Sequence, residues 1–151
     1  MKSYLGVKIL KAKPLNLGDY NKHRGWDIPV DEDPTREGYL VQYPDGYESW
    51  SPKEAFEAAY LPLENPTKIS QAEIEAFLLP AEDSQIDAKT TLVKMNTITG
   101  FVQYEVSSCV DPANYDHALG VEIASKRIKD RIWPMLGFVL QWGRFGLKAQ
   151  Q

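Results

Sequence analysis

Three short stretches hold the residue types that molecular recognition needs. In "HRGWD", Arg24 stands two residues from Trp26. A guanidinium forks onto phosphate oxygens and an indole stacks on a base, so the pair suits a nucleotide. The same two residues also serve as a solvated helix end and a core aromatic. "YPDGYESWSPK" gathers Tyr43, Tyr47, Trp50 and Lys53. Tyr43 and Trp50 read as one side of a hairpin, either a ligand platform or a stabilising cross-strand aromatic set. Lys53, near a helix start, would meet an anion or simply water. "SSCVDPANYDH" joins a strand to a helix through Cys109, Asp111 and Asn114. One reading makes this junction a small pocket, because a thiol beside a helix start is activated and free amides at a helix N-terminus attract anions. The simpler reading makes Asp111, Asn114 or Asp116 the cap of the helix and Cys109 a small buried residue. Cysteine catalysis would need a base, and His117 is the one histidine close in sequence.

Composition removes several classes of chemistry. The chain has 151 residues, a formal charge of −4, one cysteine and two histidines. Broad nucleic-acid binding needs a strongly positive surface, which this balance does not supply. One cysteine allows no internal disulfide and no multi-thiolate metal site, and fits a reducing compartment. No Gly-rich phosphate loop, HExxH or GxSxG run occurs, and Asp31, Glu32 and Asp33 lack the spacing of a calcium loop. Neither a metal nor a cofactor is expected, and no enzyme activity. The first residues hold no apolar run of roughly 7–15 residues, so no secretory signal is expected. No stretch approaches the ~20 apolar residues of a membrane span. The expected location is the cytoplasm. Eight tyrosines and four tryptophans are a surplus for this length, and such residues are enriched at interfaces.

The elements that would carry these residues follow from periodicity and punctuation. Leu5, Val7 and Ile9 alternate as a strand. "NLGDYNKHRG" reads as a short helix from Asn16 to a stop at Gly25, and "DIPVDEDPTREG" as an exposed loop. "GYLVQYPDGYESW" is a hairpin, with Pro44 and Gly46 setting the turn. A helix then opens with Ser51 as N-cap, Pro52 first and Glu54 third. Ser70 and Glu73 form a capping box, "PAEDSQIDAK" is a loop, and "TTLVKMN" pairs with "FVQYEVS" across "TITG". Val121, Ala124, Ile128, Ile132 and Met135 make one stripe of a helix over about 115–136. Pro134 should kink or stop it, Gly137 should cap it, and "FVLQW" should return as a third strand. The basic run "KRIKDR" is a solvated face or a contact for nucleic acid or an acidic partner.

From Thr90 onward, "SSCVDPANYDHALGVEIASKRIKDRIWPMLGFVLQ" resembles the phage gene product forty-nine/sixty-six family, an uncharacterised family. Its pattern is met by Cys109, Asp111, Pro112, Ala113, Asn114, Tyr115, Asp116, Gly120, Trp133, Gly137 and Phe138. The first sixty residues, through "GDYNKHRGWDIP" and "GYLVQYPDGYESWSPKEAFEAAY", resemble an uncharacterised phage and prophage protein type. In outline they are also similar to the Thoeris anti-defence protein two family, whose small domain sequesters a nucleotide-type immune signal at subunit interfaces. That family's Pro-Ser-x-x-Asp-Leu-Leu run is replaced here by "SPKEAFEAAY".

The expected architecture is therefore α+β in two small modules. Residues 1–63 form a short β-sheet with one packed helix, 64–69 a linker, 70–142 a hairpin on a long helix, and 143–151 a tail. Small cores are marginal, so the modules are expected to pack together or to oligomerise, and a homo-oligomer is the expected state. The expected role is a non-enzymatic phage accessory protein in the bacterial host cytoplasm. It would bind and neutralise a host factor, a small nucleotide signal or a host defence protein; the alternative is a regulatory role through a host protein or nucleic acid.

Overall fold

The computed structural model describes residues 1–147. The chain divides into two compact units: Met1–Pro62 with the described residues from Trp142, and Leu63–Gln141. Each unit carries a three-stranded antiparallel sheet, and the chain is α+β.

In the first unit, β1 (Lys11–Pro14), β2 (Gly38–Gln42) and β3 (Glu48–Pro52) lie in that order. Helix α1 (Leu17–Arg24) begins where Asn16 accepts the Asp19 amide at 2.7 Å and stops at Gly25, whose φ of +72° is glycine territory. The β2–β3 turn closes through the Tyr43 amide donating to the Tyr47 carbonyl (2.8 Å), with Gly46 at φ +86°.

Two expectations shift here. The alternation of Leu5, Val7 and Ile9 is not a strand; the strand is the following Lys11–Pro14. A Cβ added at Gly143 would meet Val7 and Ile9 at 3.4 and 3.2 Å, so their side chains have a surface to cover but their backbone has no ladder partner. Ser51 is not an N-cap. It pairs with Tyr39, Pro52 still pairs with Gly38, and α2 (Lys53–Glu57) starts one residue late with no side-chain cap.

The second unit opens with α3 (Gln71–Phe77), which has the expected Ser70–Glu73 capping box. Its sheet has the order β4 (Glu82–Asp87), β5 (Thr90–Asn96), β6 (Val102–Ser108). The third strand is thus β4, expected to be a loop, while "FVLQW" lies inside α4 (His117–Phe145). Every residue of β4 is exposed, so no apolar alternation marks it.

Neither Pro134 nor Gly137 ends α4. The missing hydrogen bond costs about 3 kcal/mol, and burying Ile132 and Leu136 on either side of the proline contributes about 1.5–3 kcal/mol each. The buried row is Gly120, Ala124, Ile128, Ile132 and Leu136, strictly every fourth residue. Met135, expected in the stripe, is 40% exposed. Ala124 and Ile128 pack with Val93 and Met95, and Ile132 and Leu136 with Ile74. Of the tail expected over 143–151, the residues to Phe145 are helical; the part beyond 147 lies outside the described residues.

Candidate functional site

In the first unit, Arg24 and Trp26 stand together. The last turn of α1 places Arg24, and the chain reversal at Gly25 returns Trp26, whose amide donates to the Asn21 carbonyl at 2.8 Å. The Arg24 guanidinium carbon is 4.9 Å from the indole centroid, a cation–π contact. Tyr20 meets the same indole edge-on at 6.0 Å. Trp26 nevertheless remains 53% exposed.

The hairpin aromatics divide. Tyr43 and Tyr47 pair with each other at 5.8 Å across the turn, with Lys8 5.3 Å from the Tyr43 ring. Trp50 does not join Tyr43 as the spacing suggested, because it stands opposite Leu40. Its indole N–H donates to the Leu15 carbonyl at 2.8 Å, Arg36 lies 5.8 Å from its ring, and it covers Gly38 so closely that any Cβ there would overlap it. Lys53 is ion-paired with Glu37 at 2.9 Å, which raises the lysine pKa.

A second feature of this unit was not visible in the sequence. Ladder register sets Lys11, Gln42 and Glu48 in one row, and Lys13, Leu40 and Trp50 in the next, on one face of the sheet. His23 of α1 meets Glu48 at 2.8 Å. Lys11, Lys13, His23, Leu40, Gln42 and Glu48 line a groove of about 300 Å³. The His23 hydrogen bond, with the charges of His23, Arg24 and Lys13, holds the Glu48 carboxyl below its ordinary pKa.

In the second unit the strand-to-helix junction is a nested set of caps. Asp111 accepts the Ala113 amide at 2.9 Å and starts a 3-10 turn, Pro112–Asn114. Asp116 accepts the Leu119 amide at 3.0 Å at the head of α4. The Cys109 thiol is half-buried and donates to the Asp111 carbonyl at 3.1 Å, and Asn114 is exposed. His117 is occupied elsewhere. One ring nitrogen meets Asp83 of β4 at 2.7 Å and the other the Tyr115 hydroxyl at 2.8 Å, which meets buried Thr91 at 2.8 Å. This Asp83–His117–Tyr115–Thr91 chain ties the start of α4 to two strands.

The "KRIKDR" run is also engaged. Arg131 donates to the Tyr104 carbonyl (2.7 Å), to Gln103 (3.3 Å) and to Glu105. Arg127 donates to the Val106 carbonyl at 3.1 Å. Both arginines thus cover the free edge of β6. Lys126 pairs with Asp130 and Lys129 with Glu75. The Arg131 hydrogen bond, chiefly, depresses the Glu105 pKa. On the opposite face of β6, Val102, Tyr104 and Val106 are 39, 57 and 42% exposed. Among the described residues there is no helix long and apolar enough to cross a membrane, and no cluster of three His, Cys, Asp or Glu residues suited to a metal ion.

These features define a small α+β protein whose polar clusters mostly hold its own elements together, with exposed rings on the first unit. The chain belongs to the phage protein (N4 Gp49/phage Sf6 gene 66) family, whose model matches residues 58–143. It is thus a phage accessory protein. The match begins at residue 58, so it overlaps only the last three of the first sixty residues and does not support the resemblances stated for them. No curated protein and no solved structure matches the chain.

Proposed function

We propose that the protein acts in the bacterial host cytoplasm as a non-enzymatic binder of a host factor, and that the factor is a nucleotide immune signal which it sequesters. The observation that carries this reading is the Arg24–Trp26 pair, a guanidinium 4.9 Å from an indole that stays 53% exposed. Phosphate suits the first group and a base the second. The outline likeness of "HRGW" and the following hairpin to the Thoeris anti-defence protein two family, and the membership in a phage family, support the same reading.

Native mass spectrometry of the protein from infected cells tests it. A co-purifying nucleotide released chemically unchanged is the expected result. Arg24→Ala and Trp26→Ala would each weaken its rebinding about tenfold or more, with circular dichroism unchanged. Release of a converted product, or rebinding indifferent to both substitutions, would overturn the reading.

A second reading, a host protein as partner, is favoured by the exposed Val102–Tyr104–Val106 stripe of β6. Under it, Val106→Lys would abolish co-purification of that partner.

A further inference from the structure

The groove on the first sheet has a charge surplus that the Arg24–Trp26 pair does not explain. Lys11 and Lys13 point to the same face of β1, roughly 6.7 Å apart along the strand. Among the described residues neither ammonium group is ion-paired. His23 adds a third basic group, and Glu48 is the one carboxylate in the lining. Glu48 is held by His23 at 2.8 Å. It orients the imidazole and its charge also acts on Lys13, so the lining sets one carboxylate against two lysines.

We infer that this groove is a phosphate-chain subsite, in which Lys11 and Lys13 each bind one of two adjacent phosphate groups and His23 closes the end. The inference rests on the reading that the first unit takes a phosphate-bearing small molecule, and it names the part of the ligand held away from Trp26. Two unpaired lysines match a multiply charged anion better than a single carboxylate. The long, flexible lysine stems can converge from a strand-repeat apart onto neighbouring phosphates. A volume of about 300 Å³ is at the small end for ligand sites and accommodates a phosphate chain rather than a whole nucleotide. Leu40 forms an apolar floor, and Gln42, in the row of Lys11, donates its amide to Glu48 at 3.5 Å. The His23 hydrogen bond first, and then the charges of His23, Arg24 and Lys13, lower the Glu48 pKa on this face.

Isothermal titration of the full chain with pyrophosphate, ADP and adenosine separates this inference from the nucleotide reading. Pyrophosphate should bind by itself, and Lys11→Gln and Lys13→Gln should each weaken it about tenfold. Lys126→Gln, on α4, should leave it unchanged. Both groove lysines are exposed, so the variants should melt with the wild type. Equal losses from Lys11→Gln and Lys126→Gln would show general charge attraction and overturn the subsite. ADP binding that depends on Arg24 but not on Lys11 or Lys13 would overturn the subsite and leave the nucleotide reading standing. Pyrophosphate binding through the lysines, with no gain from adenosine and no effect of Trp26→Ala, would do the reverse. No binding of pyrophosphate would overturn the subsite.

Discussion

Glu73 makes the most stringent quantitative prediction. Its side chain is 3% exposed and accepts the amides of Ser70 and Glu64, each at 2.7 Å, and the Ser70 hydroxyl. The Ser70 hydroxyl first, then the Glu64 amide, lower its pKa from 4.5 to about 2. At about 1.36 kcal/mol per pH unit this ionised carboxylate stabilises the second unit by about 3 kcal/mol at neutral pH. Because the folded pKa lies below the unfolded one, that stability is fully present above about pH 5. It is lost as pH falls towards 2, and by pH 3 about 2 kcal/mol of it is gone. Glu73→Gln has no proton to gain. Urea titrations of both proteins at pH 7, 5, 4 and 3 isolate the effect, since Glu105, Asp87 and Asp33, whose pKa values are also lowered, are common to both. The wild type should lead clearly at pH 7, and its lead should shrink by about 2 kcal/mol by pH 3. A lead that does not change with pH would refute the assignment of the capping box as an ionised, buried hub.

Gly120→Ala should destabilise the second unit by about 1–3 kcal/mol in thermal melts, because the new Cβ would stand 2.9 Å from the Cβ of fully buried Thr91. Trp50→Ala should cost about 2–3 kcal/mol in urea titration, since it removes the ring covering Gly38 and the hydrogen bond to Leu15. Arg131→Ala should lower stability by about 1–3 kcal/mol and increase aggregation seen by light scattering, because the β6 edge loses its cover at Tyr104.

The candidate site was legible only where neighbours in sequence are neighbours in space. Arg24 and Trp26 could be paired from "HRGW" because one glycine in positive φ brings the chain back over the helix end. The groove could not, since Lys11, His23 and Glu48 belong to β1, α1 and β3 and meet only after the ladders register. Nor could the role of His117, whose partner Asp83 lies 34 residues away on a strand that has no apolar pattern.

By itself the sequence determined the local devices: the Asn16 cap, the Ser70–Glu73 box, and the turns at Gly46 and Gly100. Each is a hydrogen bond or a backbone angle settled within about four residues, so nothing distant has to be known. Only the tertiary structure decided which face of β6 is covered. Alternation separates Val102, Tyr104 and Val106 from Gln103 and Glu105 but does not say which set turns to the helix. Arg131 takes Gln103 and Glu105, and the apolar set is left outside. The same holds for Pro134, which the helix absorbs because Ile132 and Leu136 find buried positions that the local sequence cannot reveal. Periodicity fixes the faces of an element; the surface packed against it fixes what those faces do.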